Sequence, residues 1–213
     1  MPMSYPWFIK IALWITGKNL KKTEGLENLP QGSGYILAPN HGSYLDPVFL
    51  WPAIVPKTKK IIYSLAKEEL SWKFRSFGAK YLGMIYINPK DKAKCLETSH
   101  AYLKRGEIIC VFPEGRRNYD PVNLLPGKTG AARLALRAKV PVVPVGIKSP
   151  AGKGVFQAIK NAFLPRNKAE IIIGRPIAFE KYYGQTETKE MLEEITRQIM
   201  QEIGRLCGKK YPF

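Results

Sequence analysis

The stretch YILAPNHGSYLDP, residues 35–47, joins a short apolar run to a polar loop that closes with Asp-Pro. The run YILAP has the length and composition of a strand that is buried on both faces of a sheet. Asp46 and Pro47 predict a helix start, with Asp46 as the N-cap, because proline fits the first helical turn. A strand followed at once by a helix is the repeating unit of an α/β fold.

The same alternation continues through the rest of the chain. Apolar runs typical of strands lie at 59–66, 83–88, 107–112, 140–147 and 169–174. Helical patterns lie at 68–77, 90–104, 128–138 and 188–207. This order predicts an α/β fold with a mostly parallel central sheet flanked by helices. Pro141 and Pro144 cannot donate to a ladder, so we expect the strand at 140–147 to be irregular or to lie at an edge.

The charge balance is strongly basic, with 34 lysines and arginines against 17 aspartates and glutamates. The net charge of +17 attracts nucleic acid, an anionic membrane surface or a phosphorylated substrate, and does not choose among them. Cys95, Cys110 and Cys207 form no close pair, and the chain has two isolated histidines. We therefore expect a reducing cytoplasm, no disulfide framework and no metal site.

The N-terminal run YPWFIKIALWIT, residues 5–16, is almost wholly apolar and precedes the basic GKNLKK. It is too short to cross a bilayer as a helix, which needs about 20 residues. No basic region precedes it and no small-residue cleavage site follows it, so a signal peptide is not expected. Two interpretations stay open: a helix packed on the core, or a helix docked in the plane of a membrane.

The net charge favours membrane docking. Tryptophans would then lie at the headgroup level and lysines would meet anionic lipid, the residues being Trp7, Trp14, Lys18, Lys21 and Lys22. On this interpretation, residues 1–22 form an apolar membrane-docking helical segment, and residues 23–213 form a single α/β domain.

Two polar clusters follow apolar strands of the predicted sheet. NHGSYLD, residues 40–46, follows YILAP, and PEGRRN, residues 113–118, follows EIICVF. Open α/β sheets bind their ligands beyond the carboxyl ends of strands. If the two strands are near neighbours, the clusters face one cleft.

His41 and Asp46 are the candidate chemical pair in the first cluster. Residues five apart in a regular helix are rotated by about 140°, so the pair can meet only if His41 lies outside the helix. Gly42 permits the bend that would let Asp46 accept from one ring nitrogen and leave the other as a base. The alternative is an ordinary helix cap.

A protein nucleophile is missing from this picture. The sequence has no GxSxG elbow, and Cys110 lies within an apolar strand, where a small core residue is expected. A base without a nucleophile suggests that the hydroxyl of a substrate attacks. In the second cluster, the guanidinium groups of Arg116 and Arg117 suit phosphate oxygens, and Gly115 lets the backbone approach an anion closely. The alternative is a charged surface turn, which has the same composition.

Together these residues resemble the glycerolipid acyltransferases, specifically the 1-acylglycerol-3-phosphate (lysophosphatidic acid) acyltransferases. The four blocks of that family occur here in order: NHGSYLD at 40–46, GMIYINP at 83–89, FPEGRRN at 112–118 and VPVVPV at 140–145. The second block matches in part. Three positions depart from the family pattern, with Pro89 in place of arginine, Arg116 in place of threonine and Asn118 in place of serine.

The resemblance implies a function and a set of site residues. His41 would be the general base and Asp46 its orienting partner, with acyl-CoA or acyl-carrier protein as acyl donor. Acceptor-binding residues would be Lys67, Glu114, Gly115, Arg116 and Arg117. The resemblance further implies a lysophosphatidic acid acceptor, no metal or bound organic cofactor, no nucleic acid partner, and a location on the cytoplasmic face of a membrane.

Pro89 and Arg116 leave the acceptor open, so another lysophospholipid or glycerol 3-phosphate is the alternative within the class. From other classes, a non-catalytic basic module that binds membrane or nucleic acid would explain the charge. A hydrolase would explain the His-Asp pair but lacks metal ligands.

Overall fold

The computed structural model describes residues 14, 16–67, 83–149, 154, 160 and 168–213. The strands are β1 Leu20–Glu24, β2 Tyr35–Pro39, β3 Ile62–Lys67, β4 Met84–Ile87, β5 Ile108–Cys110, β6 Val142–Lys148 and β7 Ala169–Ile173. The helices are α1 Asp46–Thr58, α2 Lys92–Lys104, α3 Gly130–Ala138 and α4 Lys189–Cys207. The helix predicted at 68–77 lies outside the described residues.

The strands form one sheet in the order β1-β7-β6-β2-β5-β3-β4. The five strands from β6 to β4 are mutually parallel, β7 is antiparallel to β6, and β1 is parallel to β7. The predicted α/β fold with a mostly parallel sheet flanked by helices is therefore confirmed.

Helices cover both faces of the sheet. On one face, α1 packs Phe49 and Ile54 against Tyr35 and Leu37 of β2. On the other, α2, α3 and α4 pack against alternate residues such as Ile36. Since β2 is buried on both faces, its uninterrupted apolar run is explained.

The C-terminal helix α4 follows its sequence pattern closely. Thr188 caps it by accepting from Met191 N, and Gly208 ends it in the left-handed region at φ 77°. The predicted apolar face is buried against the sheet, as Leu192, Ile195, Ile199, Ile203 and Leu206. This helix closes the second face of the core.

Of the two alternatives predicted for the strand at 140–147, the edge position is wrong, and irregularity is found only in its ladder with β7, which stops short of Pro144. β6 lies between β7 and β2, and its residues are buried up to Ile147. Pro144 faces β7, where the antiparallel register runs only from Lys148 to Val145. The Pro144 carbonyl accepts from Gly174 N, one residue beyond the paired part of β7. Proline lacks an N–H, and here no ladder hydrogen bond requires one, because the β6–β7 pairing ends at Val145.

The N-terminal boundary also differs from the prediction. Leu20 to Glu24 is strand β1, paired with β7, so residues 20–22 belong to the sheet and not to a helical segment. Lys21 pairs with Glu170 at 2.7 Å, and Lys22 pairs with Glu24. Most of residues 1–16 lie outside the described part, so the docking segment stays a prediction. Among the described residues, no helix has the length and apolar character needed to cross a bilayer.

Candidate active site

The two polar clusters meet at one edge of the sheet. β2 and β5 are adjacent and parallel, so the loops that follow Pro39 and Cys110 leave the sheet side by side. The loops are joined directly, since Asn118 N donates to His41 O at 2.7 Å. The His41 ring lies on the Phe112 ring, with centroids 4.2 Å apart. The condition set by the sequence, that the two strands be near neighbours, is met, and the two clusters lie together at one edge of the sheet.

His41 and Asp46 form a hydrogen-bonded pair within this cleft. His41 Nδ1 lies 3.0 Å from Asp46 Oδ2, with the His41 side chain 15% exposed and the Asp46 side chain fully buried. His41 Nε2 makes no hydrogen bond within the described part of the chain. The ring therefore has one nitrogen held by a carboxylate and one free to exchange a proton with a ligand.

Asp46 is the first residue of α1, and Leu45 takes the N-cap position, so the prediction of Asp46 as N-cap is wrong. Its Oδ2 atom also accepts from Ser43 N at 2.7 Å, and its Oδ1 atom accepts from Ser149 Oγ at 2.6 Å. The carboxylate holds the loop ahead of the helix as well as the ring. A helix N-terminus also favours negative charge at this position.

The loop that carries His41 is held by two buried polar side chains. Asn40 donates from Nδ2 to Ile147 O at 2.9 Å and accepts from Ile147 N at 2.7 Å, which ties the end of β2 to β6. Glu114, which is 2% exposed, accepts from His41 N, Asn118 Nδ2 and Leu125 N. Both oxygens of Glu114 are thus used inside the protein, which gives it a supporting position rather than an open binding face.

The cations of the second cluster differ in their surroundings. Arg117 lies with its guanidinium carbon 3.6 Å from the centroid of the Tyr44 ring, and its buried Nε has no hydrogen-bond partner in the described structure. Arg116 is exposed. Lys67 ends β3 at the same edge of the sheet. Arg117 is therefore the arginine whose position is fixed, at the mouth of the loop that carries His41.

The two glycines of the clusters have different roles. Gly115 has φ +66°, and a Cβ there would come within 2.7 Å of the Lys128 side chain. Glycine is required here for the positive φ, and the absence of a Cβ leaves room for the Lys128 side chain to lie against the loop. Gly42 does not lie in the left-handed region, and the nearest atom to a Cβ there is 3.8 Å away. The expectation that Gly42 supplies the bend is wrong.

No cysteine is placed as a nucleophile. Cys110 is completely buried, and burial raises the pKa of its thiol to about 12. Cys95 and Cys207 are also buried, and burial raises the pKa of each. Among the described residues, no cluster of three or more histidine, cysteine or acidic side chains could hold a metal ion.

Sequence reasoning does not single out Ser149 or Tyr44, and it interprets the stretch with Lys128, LPGKTG at 125–130, as a surface turn rather than a P-loop. A signal for Ser149 was present, because it directly follows the carboxyl end of β6, a parallel neighbour of β2. The contacts of Tyr44 with Arg117 and of Lys128 with Gly115 could not be predicted, since they depend on the path of two loops.

The fold and the site define an α/β protein with a His-Asp pair at the carboxyl ends of its strands. Comparisons with known proteins identify its family. The profile of the Acyltransferase family matches residues 21–148, and the chain belongs to this family. A 1-acyl-sn-glycerol-3-phosphate acyltransferase of Bacillus subtilis (strain 168) is 31% identical over 210 residues, 94% of each chain. The chain is an acyltransferase of this type and hence an enzyme, which sets aside the non-catalytic module.

Other relatives carry the same name. A probable 1-acyl-sn-glycerol-3-phosphate acyltransferase of Mycoplasma pneumoniae is 29% identical over 85% of this chain and 70% of its own. The human alpha form is 32% identical over 60% of this chain and 45% of its own. The crystal structure of the 1-acyl-sn-glycerophosphate (LPA) acyltransferase PlsC of Thermotoga maritima has the same fold, with a TM-score of 0.62 at 22% identity over 96% of this chain and 81% of that one.

Proposed function

We propose that the chain transfers a fatty acyl group from acyl-CoA or acyl-carrier protein to the sn-2 hydroxyl of 1-acylglycerol-3-phosphate, giving phosphatidic acid for phospholipid synthesis. The observation that carries the proposal is the 3.0 Å contact between His41 Nδ1 and the buried carboxylate of Asp46. The acceptor is taken from the shared name of the relatives.

The proposed reaction is a single transfer. His41 Nε2 accepts the proton of the acceptor hydroxyl as its oxygen attacks the thioester carbonyl. The new C–O bond forms, the C–S bond breaks, and the imidazolium returns the proton to the leaving thiolate. Asp46 fixes the ring and stabilises the imidazolium. The high pKa of the buried Cys110 thiol favours this direct route over an acyl-cysteine. The step requires no metal or bound organic cofactor.

The acceptor phosphate is assigned to the cations beside the His41 loop. Arg117 supports this assignment, because its guanidinium is held on Tyr44 and its buried Nε has no partner within the described residues. Lys128 lies across Gly115, and the exposed Arg116 adds charge at the rim. We retain Lys67 as a further contact and assign Glu114 to support of the His41 loop.

A lipid substrate requires access to a membrane, and we propose that the enzyme works at the cytoplasmic face through its apolar N-terminal segment. The net charge of +17 supports attraction to anionic lipid. Co-sedimentation with vesicles of phosphatidylglycerol and phosphatidylcholine tests this. Binding that persists in high salt would indicate apolar docking, binding lost in salt would indicate charge alone, and no binding would contradict the proposal.

The alternative acceptors rest on two sequence departures, Pro89 and Arg116. Pro89 lies in the turn after β4, where Lys90 N donates to Asn88 Oδ1. Without an arginine there, another lysophospholipid or glycerol 3-phosphate stays a candidate. A panel of these acceptors with the wild-type enzyme, compared by kcat/KM, decides between them.

The central test is acyl transfer from labelled acyl-CoA and acyl-carrier protein to lysophosphatidic acid in mixed micelles. Loss of the general base in His41→Ala should reduce kcat by roughly 10²–10⁴-fold. His100→Ala is the matched control, because His100 is half-buried on α2 and belongs to neither polar cluster. Activity retained by a folded His41→Ala variant would refute the assignment of the base.

A further inference from the structure

Ser149 contacts the catalytic pair from a distant part of the chain. It follows β6 and its Oγ donates to Asp46 Oδ1 at 2.6 Å, across 103 positions of sequence. The contact joins the strand of the VPVVPV block to the loop of the NHGSYLD block. No sequence block of the resemblance includes this residue.

The two oxygens of Asp46 are supported differently. Oδ2 faces two donors, Ser43 N and His41 Nδ1. Within the described residues, Oδ1 has Ser149 Oγ as its one hydrogen-bond donor. Because the side chain of Asp46 is fully buried, water does not replace a missing donor without a rearrangement. Removal of the Ser149 hydroxyl therefore leaves a buried anionic oxygen unpaired.

The position of Ser149 is fixed by hydrogen bonds between the ends of β2 and β6. The Asn40 side chain makes two hydrogen bonds with the backbone of Ile147, two residues before Ser149. The loop that carries His41 and the strand that delivers Ser149 are thus held as one unit. Ser43 contacts the other oxygen of the carboxylate, because its backbone N–H donates to Asp46 Oδ2.

We propose that Ser149 is a positioning residue of the His41 and Asp46 pair. Its hydroxyl holds the carboxylate so that Oδ2 stays on His41 Nδ1 and Nε2 is presented to the acceptor. The inference rests on the proposed role of His41 as the base. Ser149 itself touches no substrate in this assignment.

Kinetics of the full chain test the proposal. Ser149→Ala should lower kcat by roughly ten- to a hundredfold, as expected for a lost hydrogen bond to a charged group, with KM for both substrates changed less than about twofold. Ser149→Thr keeps a hydroxyl and should restore most of kcat. Ser99→Ala is the matched control, because Ser99 is also buried but bonds Cys95 O within α2. It should leave kcat unchanged.

Nuclear magnetic resonance reports the hydrogen bond between His41 and Asp46 in the resting enzyme, without substrate. The chain has two histidines, so the imidazole N–H resonances of labelled protein can be assigned with His100→Ala. In Ser149→Ala the His41 Nδ1–H resonance should move upfield as its hydrogen bond to Asp46 weakens, while the His100 resonance stays in place. Ser149→Thr should keep the wild-type position.

The outcomes are separable. Wild-type kcat and an unmoved His41 resonance in Ser149→Ala, with His41→Ala inactive, would overturn this inference alone. An active His41→Ala variant would overturn the proposed base and the role of Ser149 together. If Ser149→Ala does not fold, Ser149→Cys, a weak donor, should have a lower kcat than Ser149→Thr. Equal kcat in these two variants would contradict the proposal.

Discussion

At the scale of single residues, the site depends on two buried carboxylates and the hydrogen-bond donors that face them. Asp46 is buried with donors on both oxygens, and Glu114 is buried with three. Burial without these donors would be costly. Each carboxylate therefore acts on His41, one through the ring and one through the backbone.

Asp46→Asn keeps the shape of the side chain and removes its charge. We expect kcat to fall by roughly 10²–10⁴-fold, because the imidazolium loses its counter-ion and the ring its fixed orientation. The measurement is kcat at saturating substrates, with folding followed by circular dichroism. Asp91→Asn, at the N-cap of α2, is the control and should affect stability alone. A kcat within about twofold of wild type in Asp46→Asn would contradict the pairing.

Arg117 and Arg116 are adjacent in sequence but differ in setting. Arg117→Ala should raise KM for lysophosphatidic acid by about tenfold and leave KM for the acyl donor unchanged, because its guanidinium is held on Tyr44. Arg116→Ala should have a smaller effect, since Arg116 is exposed. Steady-state kinetics with each substrate varied in turn measure both. An equal rise for donor and acceptor would argue against a phosphate contact.

At the scale of secondary structure, the carboxyl end of β2 determines where His41 lies. The ladder between β2 and β6 continues past Pro39 through the side chain of Asn40, which replaces a backbone partner for Ile147. This places His41 immediately outside the sheet, where it can turn back toward α1. The asparagine of the NHGSYLD stretch is thus a structural residue.

Asn40→Ala should destabilise the protein by about 1–3 kcal/mol, because the N–H and C=O of Ile147 are left unpaired in a buried place. The free energy of unfolding in urea measures the loss. Asn88→Ala, which removes one hydrogen bond from an exposed turn, is the comparison and should cost less. Similar losses in both variants would mean that the Asn40 contacts add no stability.

At the scale of the whole molecule, burial of titratable groups links stability to pH. Burial raises the pKa of Cys110 and Tyr63 to about 12 and also raises that of Tyr35. Above pH 9 the unfolded chain loses these protons before the folded chain does. The unfolded state then binds fewer protons, so stability falls as pH rises.

The free energy of unfolding should therefore decline between about pH 9 and pH 12. Denaturant titrations at fixed ionic strength across this range measure the slope. Cys110→Ala removes one of the groups and should make the decline shallower. Stability that is constant up to pH 11 would contradict the assigned burial of these groups.

Much of the fold could be predicted from local pattern. β2 has the predicted bounds, and α4 has its predicted face, since apolar period and capping residues act over one or two turns. Errors arose where the partner strand matters. β1 is short and charged, and residues 20–22 fall within the predicted docking segment because only β7 makes them a strand. The prolines predict an edge or an irregular strand for β6, but the end of its ladder is set by β7.

The sequence by itself determined that strands alternate with helices from β2 onward, that His41 and Asp46 follow a strand end, and that positive charge is in excess. These follow from spacing and composition, which need no knowledge of distant contacts. Tertiary structure alone decided that β2 and β5 are neighbours, that Glu114 supports His41, and that Ser149 reaches Asp46. Such contacts join residues up to 103 positions apart, and only the packing of the sheet brings them within hydrogen-bond distance.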